Sequence, residues 1–464
     1  MEKDAKESLT SVKKLKNSFD YLWLPFTSFH DSIDYPPLII ERGAGIYIYD
    51  VSGKNYIDAI GSWWVSIFGH NHPRISNAVK CQLDKIEHIM MAGLISEPAL
   101  RLSHILGGML PDGLNKIFYS DDGSTAVEVA LKIALQYHSL QGSNRSEFVA
   151  FDGGYHGDTL GAMTVGSIPQ YHSLFHERFK SFHFANSPYC YRCPVGLKQS
   201  GCNVECMNSL KSIFEEKGDR IAGCIFEPMV QGAAGMRVYP SKVLERIFSL
   251  CKEFEILTIA DEVAMGFGRT GKLFACEHAG YTPDIMCLAK GLTGGYLPLS
   301  ATIVKKEIFG EFKGDHLSNR TLNHGHSFTG NPLAAAAACA SMELIKEYDV
   351  PSSLYGKIAA LRSQLDKFSE FDIVGDVRTL GMVGAIELVA DKNSKKKLPP
   401  ELRIPFKIAQ KALKLGVIIR PLGDVLYFMP PFISSEEEIE KMTFLTHRAL
   451  KEILDEEYSN IRSH

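Results

Sequence analysis

Two stretches, ILTIADEV at residues 256–263 and PDIMCLAK at residues 283–290, decide the fold class of this 464-residue chain. Each contains an apolar run that ends at a charged residue, Asp261 in the first and Lys290 in the second. Nearly continuous apolar runs are typical of strands in a parallel sheet that is buried on both faces. Helical patterns separate similar runs elsewhere in the middle of the chain, so the sequence predicts an α/β fold with a mostly parallel sheet.

The same alternation extends outward from these two runs. The patterns predict strands at 116–121, 147–151, 221–229 and 299–304, and helices at 124–138 and 244–255. A β-rich pattern at 38–60 and an α+β pattern after Ser341 predict a smaller domain built from both chain ends. The predicted division is an N-terminal arm with part of the small domain (1–70), a large α/β domain (71–340) and a small C-terminal α+β domain (341–464).

Charge and apolar content exclude several classes of partner. The chain has 50 Lys and Arg against 54 Asp and Glu, a formal net charge of −4, so no basic field points to nucleic acid or to an anionic membrane. The small-residue run at 332–340 is too short to cross a bilayer. The first residues carry charges of both signs and do not form a signal peptide. We therefore expect a cytoplasmic protein with small-molecule substrates.

The ten cysteines are expected to be reduced thiols, because no secretory signal precedes them. Four of them form C-x2-C and C-x3-C pairs, at Cys190, Cys193, Cys202 and Cys206. Such pairs can hold zinc, but the second spacing is loose and the intervening Pro and Gly suit an exposed loop. We assign no metal ligand and leave this loop open.

The glycines of the stretch IADEVAMGFGRTGKLFA (259–275) do not indicate a nucleotide site. Gly266, Gly268 and Gly271 match G-x-G-x-x-G, but they do not open a helix directly after the strand. The stretch also approaches a phosphate-binding P-loop, yet Leu273 stands where that motif needs a hydroxyl.

Asp261 and Lys290 lie at the carboxyl ends of successive strands, where open α/β sheets bind ligands. A direct ion pair between them is one interpretation. The other is that both hold one cofactor, with Lys290 as a Schiff base and Asp261 on a pyridinium nitrogen, as proteins hold pyridoxal phosphate.

Other strand ends offer matching groups. Gly123 and Ser124 open a helix after a strand, so their N–H groups could bind a phosphate, although an ordinary helix cap explains them equally well. Tyr155 could stack on a planar ring, or simply pack its loop. Ser327 in HGHSFTGNP (324–332) is a second candidate phosphate donor, or part of a polar turn.

These motifs together resemble the class III aminotransferases, pyridoxal-phosphate enzymes of fold type I. The resemblance rests on IADEVAMGFGRTGKLFACEH, PDIMCLAKGLTGGYLPLSA, GYHGDT and HGHSFTGNP, and it runs from about residue 20 to about residue 450. It implies a homodimer with active sites at the subunit interface, in which Ser327 reaches in from the second subunit. It implies a catalytic set of Lys290, Asp261 and Tyr155, and a cofactor-binding set of Gly123, Ser124, Tyr155, Asp261, Lys290, His326 and Ser327.

Within that family the chain is most similar to the enzymes that aminate 8-amino-7-oxononanoate in biotin biosynthesis. The stretches that carry this similarity are WLPFTS, GSWWVSIFGHNHP and IIRPLGDVLYFMPP. It implies that Trp63 and Trp64 line the substrate pocket and that Arg420 receives the substrate carboxylate. The implied substrate-binding set is Phe26, Trp63, Trp64, Tyr155, Gly325, Arg420 and Tyr427. Trp63 and Trp64 are adjacent, so on an extended segment they would point to opposite sides.

One departure from the family pattern concerns the amino donor. Many members read Trp-His-Pro-Tyr near the start, whereas this chain reads WLPF, with Leu24 and Phe26. The resemblance therefore leaves two donors open, S-adenosylmethionine and lysine. Two alternatives to the leading function also remain: another ω-aminotransferase, acting on a diamine, ornithine or 4-aminobutyrate, and a non-catalytic phosphate- or nucleotide-binding protein.

Overall fold

The computed structural model describes residue 19, residues 21–176 and residues 182–462. The described part of the chain forms sixteen strands: β1 (Ile40–Ala44), β2 (Tyr47–Asp50), β3 (Asn55–Asp58), β4 (Leu114–Ser120), β5 (Glu147–Phe151), β6 (Phe182–Ala185), β7 (Ile221–Phe226), β8 (Val230–Gln231), β9 (Arg237–Val238), β10 (Leu257–Asp261), β11 (Ile285–Leu288), β12 (Ser300–Lys305), β13 (Val374–Leu380), β14 (Val383–Leu388), β15 (Val417–Ile418) and β16 (Val425–Phe428).

The same residues form fifteen α-helices: α1 (Phe29–Asp34), α2 (Gly61–Trp64), α3 (Pro73–Leu83), α4 (Glu97–Gly107), α5 (Gly123–Leu140), α6 (Leu160–Thr164), α7 (Pro169–His176), α8 (Asn208–Lys217), α9 (Ser241–Glu253), α10 (Lys306–Glu311), α11 (Pro332–Glu347), α12 (Val350–Ser353), α13 (Tyr355–Asp366), α14 (Ile404–Lys414) and α15 (Glu436–Arg462). None of these helices is both long and apolar enough to cross a membrane.

A seven-stranded sheet in the order β4-β12-β11-β10-β7-β5-β6 forms the centre of the molecule. Its pairs are parallel except where β12 runs antiparallel to β11 and to β4. Every residue of β7 is buried, as expected for a strand with packed layers on both faces. The predicted α/β class and the mostly parallel sheet are therefore confirmed.

The strands and helices predicted on either side of Asp261 and Lys290 all form, with their ends shifted by a few residues. Helix α5 buries Ala126, Val127 and Ala130 on one face, and these side chains pack in the same core as Ile259 of β10. The helical spacing of small and branched residues produces this packed face.

The two ends of the chain meet in one small sheet, in the order β1-β2-β3-β15. In its parallel β3–β15 pair, Val417 lies opposite Ile57. A second antiparallel sheet contains β13, β14 and β16. The division into domains stays a prediction, and α11 runs across the boundary proposed at residue 341.

The sheet topology explains why distant parts of the sequence share one site. Strands β4, β5, β7, β10 and β11 all point the same way, so the residues that follow them meet at one edge.

Candidate active site

A cavity of about 690 Å³ lies at this carboxyl edge of the central sheet. Six of the residues predicted from the sequence line it: Trp64, Gly123, Ser124, Tyr155, Asp261 and Lys290. They come from four strand ends and from α2, which ends at Trp64, 50 positions before the first of those strands begins at Leu114. The structure therefore brings the predicted catalytic set together.

Lys290 opens a short 3₁₀ turn, Lys290–Thr293, directly after β11. Its φ of 46° is in the left-handed region that non-glycine residues rarely adopt. The Nζ atom lies 4.4 Å from the ring centre of Trp64. Burial lowers the pKa of Lys290 to about 8, although the nearby carboxylates of Asp261 and Glu227 favour the charged form. The amine is thus neutral over a much larger part of the pH range than an exposed lysine.

Asp261 is held by His156 and not by a direct ion pair with Lys290. The Nδ1 atom of His156 lies 2.7 Å from Oδ2 of Asp261, and both residues are buried. The backbone N–H of Val263 donates to the other carboxylate oxygen at 3.1 Å. The oxygens of a buried carboxylate need such hydrogen-bond partners in place of water. The carboxylate therefore reaches the cavity already oriented.

The N-terminus of α5 closes another end of the cavity. Asp122 caps this helix, because its Oδ1 accepts from the backbone N–H of Thr125 at 2.9 Å. Ser124 is thus not needed as the cap, and its Oγ instead lies 2.9 Å from Oγ1 of Thr159. A β-carbon on Gly123 would lie 2.7 Å from Cγ1 of Val263, so only glycine lets the helix start this close to the strand.

Tyr155 forms one wall of the cavity. Its hydroxyl donates to Oδ2 of Asp158 at 2.7 Å, and its backbone N–H donates to Oε1 of Glu227 at 3.1 Å. Its ring stacks on His172, with centroids 6.1 Å apart and planes 10° apart. Burial raises the pKa of this phenol, and Asp158 raises it further, so it stays protonated. These contacts hold the ring in one orientation.

The tryptophan pair does not lie on an extended segment, which corrects the sequence expectation. Ser62, Trp63 and Trp64 have φ values of 45°, 66° and 78°, a run of left-handed residues within α2. Trp64 is buried and its Nε1–H donates to the hydroxyl of Tyr427 at 3.1 Å. Trp63 is 39% exposed and faces elsewhere. The two rings still lie in different environments, one buried and one partly exposed, but a left-handed backbone and not an extended one separates them.

Phe26, Trp63 and Arg420 line a second cavity of about 810 Å³. The Nη2–H of Arg420 donates to the carbonyl oxygen of Phe26 at 3.1 Å, and its guanidinium lies 4.9 Å from the ring centre of Trp63. Phe26 in turn meets Trp63 edge to face at 5.5 Å. Because Trp63 and Trp64 are adjacent, the predicted substrate residues extend over two neighbouring cavities.

Gly325 and Ser327 are exposed and are not part of the lining of either cavity within this chain. His326 of the same loop has its Nδ1 2.9 Å from Oδ2 of Asp121, which does line the first cavity. The predicted roles of these three residues therefore remain predictions.

The sequence patterns did not identify two buried residues of the site: Glu227, and His156, which pairs with Asp261. Glu227 accepts backbone hydrogen bonds from Tyr155 and from Gly232, the latter at 2.7 Å. Burial, together with the nearby Asp261 carboxylate, raises its pKa to about 7, although His156 and the two backbone N–H groups oppose the rise. Glu227 directly follows the apolar strand β7, in the run IFEPM, and this strand-end position could have marked it as a candidate site residue.

The four-cysteine loop lines a separate cavity of about 190 Å³. All four thiols are free. Among the described residues, no group of three or more His, Cys, Asp or Glu is arranged to hold a metal ion.

Known proteins resemble this chain over nearly its whole length. The family model "Aminotransferase class-III" matches residues 29–450. The adenosylmethionine-8-amino-7-oxononanoate aminotransferase of Geobacter sulfurreducens is 42% identical over 422 residues, which cover 90% of this chain and 93% of that protein. The crystal structure of the Methanocaldococcus jannaschii protein of the same name has a TM-score of 0.89 at 38% identity, covering 95% of this chain and 99% of that one.

A further solved structure reports on the cofactor. An amine transaminase from an uncultivated Pseudomonas species, in its PLP-bound (internal aldimine) form, has a TM-score of 0.89 at 33% identity. The match covers 93% of this chain and 98% of that chain.

Proposed function

This chain belongs to the class-III aminotransferases, and we propose that it delivers an amino group to 8-amino-7-oxononanoate, giving 7,8-diaminononanoate in biotin biosynthesis. It is a pyridoxal-phosphate-dependent enzyme of fold type I. The observation that carries the substrate proposal is the series of relatives named for this acceptor, which are 36–42% identical over most of the chain.

The residues around the first cavity fit pyridoxal 5′-phosphate. Lys290 offers an amine whose pKa burial lowers to about 8, and Asp261 offers a buried carboxylate already held by His156. The N-terminus of α5 approaches β10 so closely that a β-carbon on Gly123 would collide with Val263. A helix N-terminus of this kind binds phosphate well. Lys290, Asp261, Tyr155, Gly123 and Ser124 would therefore hold the cofactor.

When bound, pyridoxal phosphate supplies a ring that withdraws electrons from the carbon whose proton is removed. Asp261 would keep the ring nitrogen protonated, because a fixed negative charge favours the positive form of its partner. Lys290 would take the proton from the donor carbon and return it, as general base and then general acid. Its lowered pKa suits this alternation near neutral pH. Tyr155 would cover the ring, since its own ring is fixed by His172 and Asp158.

The two adjoining cavities suit a long acceptor with a carboxylate at one end. Lys290 lies in the first cavity and Arg420 in the second. A guanidinium pairs with a carboxylate through two parallel hydrogen bonds. We propose that Arg420 exchanges its hydrogen bond to the carbonyl of Phe26 for the acceptor carboxylate, which places the far end of the acceptor near Lys290.

The decisive experiment for the acceptor uses the aminated form of the cofactor. Purified enzyme is first converted to the pyridoxamine form, and 8-amino-7-oxononanoate is then added while the visible absorbance is recorded. Return of the colour of the aldehyde form, with 7,8-diaminononanoate as product, supports the proposal. No colour change with this acceptor, but recovery with ornithine- or 4-aminobutyrate-derived aldehydes, would make the enzyme a different ω-aminotransferase.

The amino donor is proposed to be S-adenosylmethionine or lysine. Phe26 carries no hydroxyl, and its ring packs against Trp63 and Tyr171. A pocket wall without that donor binds a polar partner less well, by about 1–3 kcal/mol when the partner group is buried. A direct comparison of kcat/KM for the two donors decides between them, and a Phe26→Tyr variant tests whether this position sets the preference.

We also propose that the enzyme is a homodimer whose active sites receive Ser327 from the second subunit. Gly325, His326 and Ser327 lie in one loop, and two of the three are exposed within the single chain. Mixed dimers test this directly. A Lys290→Ala chain and a Ser327→Glu chain are each expected to be inactive. Hybrid dimers would regain one active site only if Ser327 acts across the interface, whereas a serine acting within its own chain would leave both sites inactive.

A cytoplasmic location completes the proposal. All ten cysteines are free, which matches a reducing compartment.

A further inference from the structure

We propose that Tyr171 is a substrate-binding residue, and that its hydroxyl hydrogen-bonds the acceptor carboxylate alongside Arg420. This inference deepens the proposed function and rests on it, since it concerns the same acceptor. Tyr171 lies in α7 and belongs to no motif that the sequence singled out.

The ring of Tyr171 contacts one lining residue of each cavity. Its centroid lies 5.1 Å from that of Phe26, which lines the second cavity. The same centroid lies 6.3 Å from that of Tyr155, which lines the first cavity. Both contacts are edge to face, a favourable geometry for aromatic pairs. Tyr171 therefore links the walls of the two cavities between which the proposed acceptor extends.

The hydroxyl of Tyr171 is available to a ligand. The side chain is half-buried, and among the described residues its hydroxyl has no hydrogen-bond partner. The neighbouring phenols differ in this respect, because Tyr155 donates to Asp158 and Tyr427 accepts from Trp64. A partly buried hydroxyl without a partner gains most from a ligand that supplies one.

The charges around this hydroxyl suit a carboxylate. Arg420 donates to the carbonyl oxygen of Phe26, and the ring of Phe26 contacts that of Tyr171. Burial raises the pKa of Tyr171, Arg420 opposes that rise and Asp158 adds to it. A phenol with a raised pKa remains protonated at neutral pH and acts as a donor. Asp158 already accepts from Tyr155, whereas Arg420 attracts an anion. A carboxylate brought in by Arg420 would therefore accept from Tyr171 as well.

This arrangement also compensates for the departure at Phe26. The two rings are in contact, so the Tyr171 hydroxyl belongs to the same pocket wall that lacks a hydroxyl at position 26. The wall keeps one phenolic donor, supplied by α7 instead of the N-terminal segment.

The test is Tyr171→Phe, which removes the hydroxyl and keeps the ring. We expect KM for 8-amino-7-oxononanoate to rise about 10-fold while kcat stays within about 2-fold, because only substrate binding loses a hydrogen bond. The methyl ester of the acceptor should show a clearly smaller difference between the two enzymes, because its neutral carbonyl oxygen accepts a weaker hydrogen bond than a carboxylate does. Tyr355→Phe removes the hydroxyl of an exposed tyrosine that lines neither cavity, and it should leave both constants unchanged.

Equal KM values for wild type and Tyr171→Phe would overturn the inference. A rise of the same size with the methyl ester would also overturn it, since the hydroxyl would then act on the protein and not on the carboxylate. Wild-type turnover of 8-amino-7-oxononanoate reports separately on the proposed function. If the wild type prefers another carboxylate-bearing substrate, the ratio between the two enzymes is measured with that substrate and decides the inference in the same way.

Discussion

Lys290 combines a left-handed backbone conformation with a buried, desolvated side chain. Both features cost free energy, of the order of 1–3 kcal/mol for the backbone alone. The result is an amine that loses its proton at a pH much closer to neutral than an exposed lysine does. Residues held in such a strained conformation concentrate at active sites, which supports the proposal that Lys290 bonds to the cofactor.

The pH dependence of cofactor loading follows from this pKa. Only the neutral amine attacks an aldehyde, so loading of cofactor-free enzyme should accelerate as pH rises through about 8. A lysine with an ordinary pKa of about 10.4 would load only at much higher pH. The rate is measured as visible absorbance after mixing with pyridoxal phosphate between pH 6 and 10. A midpoint near 10 would show that burial does not set the pKa of Lys290.

At the scale of single residues, the sequence was sufficient to predict site residues that follow a recognisable strand pattern. Asp261, Lys290 and Tyr155 each follow an apolar run, so their positions at strand ends could be anticipated. The hydrogen bond between His156 and Asp261 joins residues 105 positions apart, and no local pattern encodes that distance. The same holds for Arg420, whose contact with the carbonyl of Phe26 spans 394 positions.

At the scale of elements, the close approach of α5 to Val263, just after β10, shapes the end of the site where we propose that the phosphate binds. The start of α5 packs against Val263, and the backbone N–H of Val263 also donates to Asp261. A displacement of α5 would therefore alter both the helix N-terminus and the position of Val263, which donates to Asp261.

Gly123→Ala tests this packing. The added methyl would lie 2.7 Å from Val263, and overpacking of this kind costs about 1–3 kcal/mol, so we expect lower stability and weaker cofactor binding. A second substitution, Val263→Ala, should restore most of both losses by making room. Gly107→Ala is the matched control, because a β-carbon there meets nothing within 4 Å. Thermal unfolding and equilibrium titration with cofactor measure the two effects, and an undiminished affinity in the single variant would refute the packing argument.

Elements whose burial follows a simple period were predictable from sequence, and elements with unusual backbone were not. The strands of the central sheet read as apolar runs because both faces are covered. The turn that carries Trp63 and Trp64 was expected to be extended, but three successive left-handed residues form it. Its contacts, including the hydrogen bond from Trp64 to Tyr427 across 363 positions, stabilise a conformation that the local sequence does not favour.

At the scale of the whole molecule, Arg269 connects the loop after β10 to the C-terminal third of the chain. Its side chain is only 1% exposed. The Nη1–H groups donate to the carbonyl oxygens of Met382 at 3.3 Å and Pro430 at 2.8 Å, and the guanidinium lies 4.5 Å from the ring centre of Phe432. Burial lowers its pKa to about 9.

Arg269→Met should therefore destabilise the whole protein. Two buried carbonyl oxygens would lose their donor, and we expect a loss of roughly 2–5 kcal/mol in the free energy of unfolding. Arg101→Met serves as control, since that arginine forms an exposed pair with Glu343 and should contribute less than about 1 kcal/mol. Urea unfolding of the three proteins gives the comparison. Equal midpoints for Arg269→Met and wild type would mean that this buried guanidinium does not hold the two regions together.

The meeting of the two chain ends was predictable in outline only. The β-rich patterns at both ends predicted a shared small unit, and β3 does pair with β15. The sequence could not show that residues 21–35 would lie beside the second cavity. That position depends on long-range contacts such as the bidentate pair between Arg403 and Asp31, with both N···O distances at 2.8 Å.

The most direct test of the whole account is the identity of the residue that bonds to the cofactor. Enzyme loaded with pyridoxal phosphate is reduced with borohydride, digested and analysed by peptide mapping. The account predicts a single modified peptide that carries the cofactor on the ε-nitrogen of Lys290, and no modification in a Lys290→Ala variant. A modified peptide from elsewhere in the chain, or none from fully loaded enzyme, would contradict it.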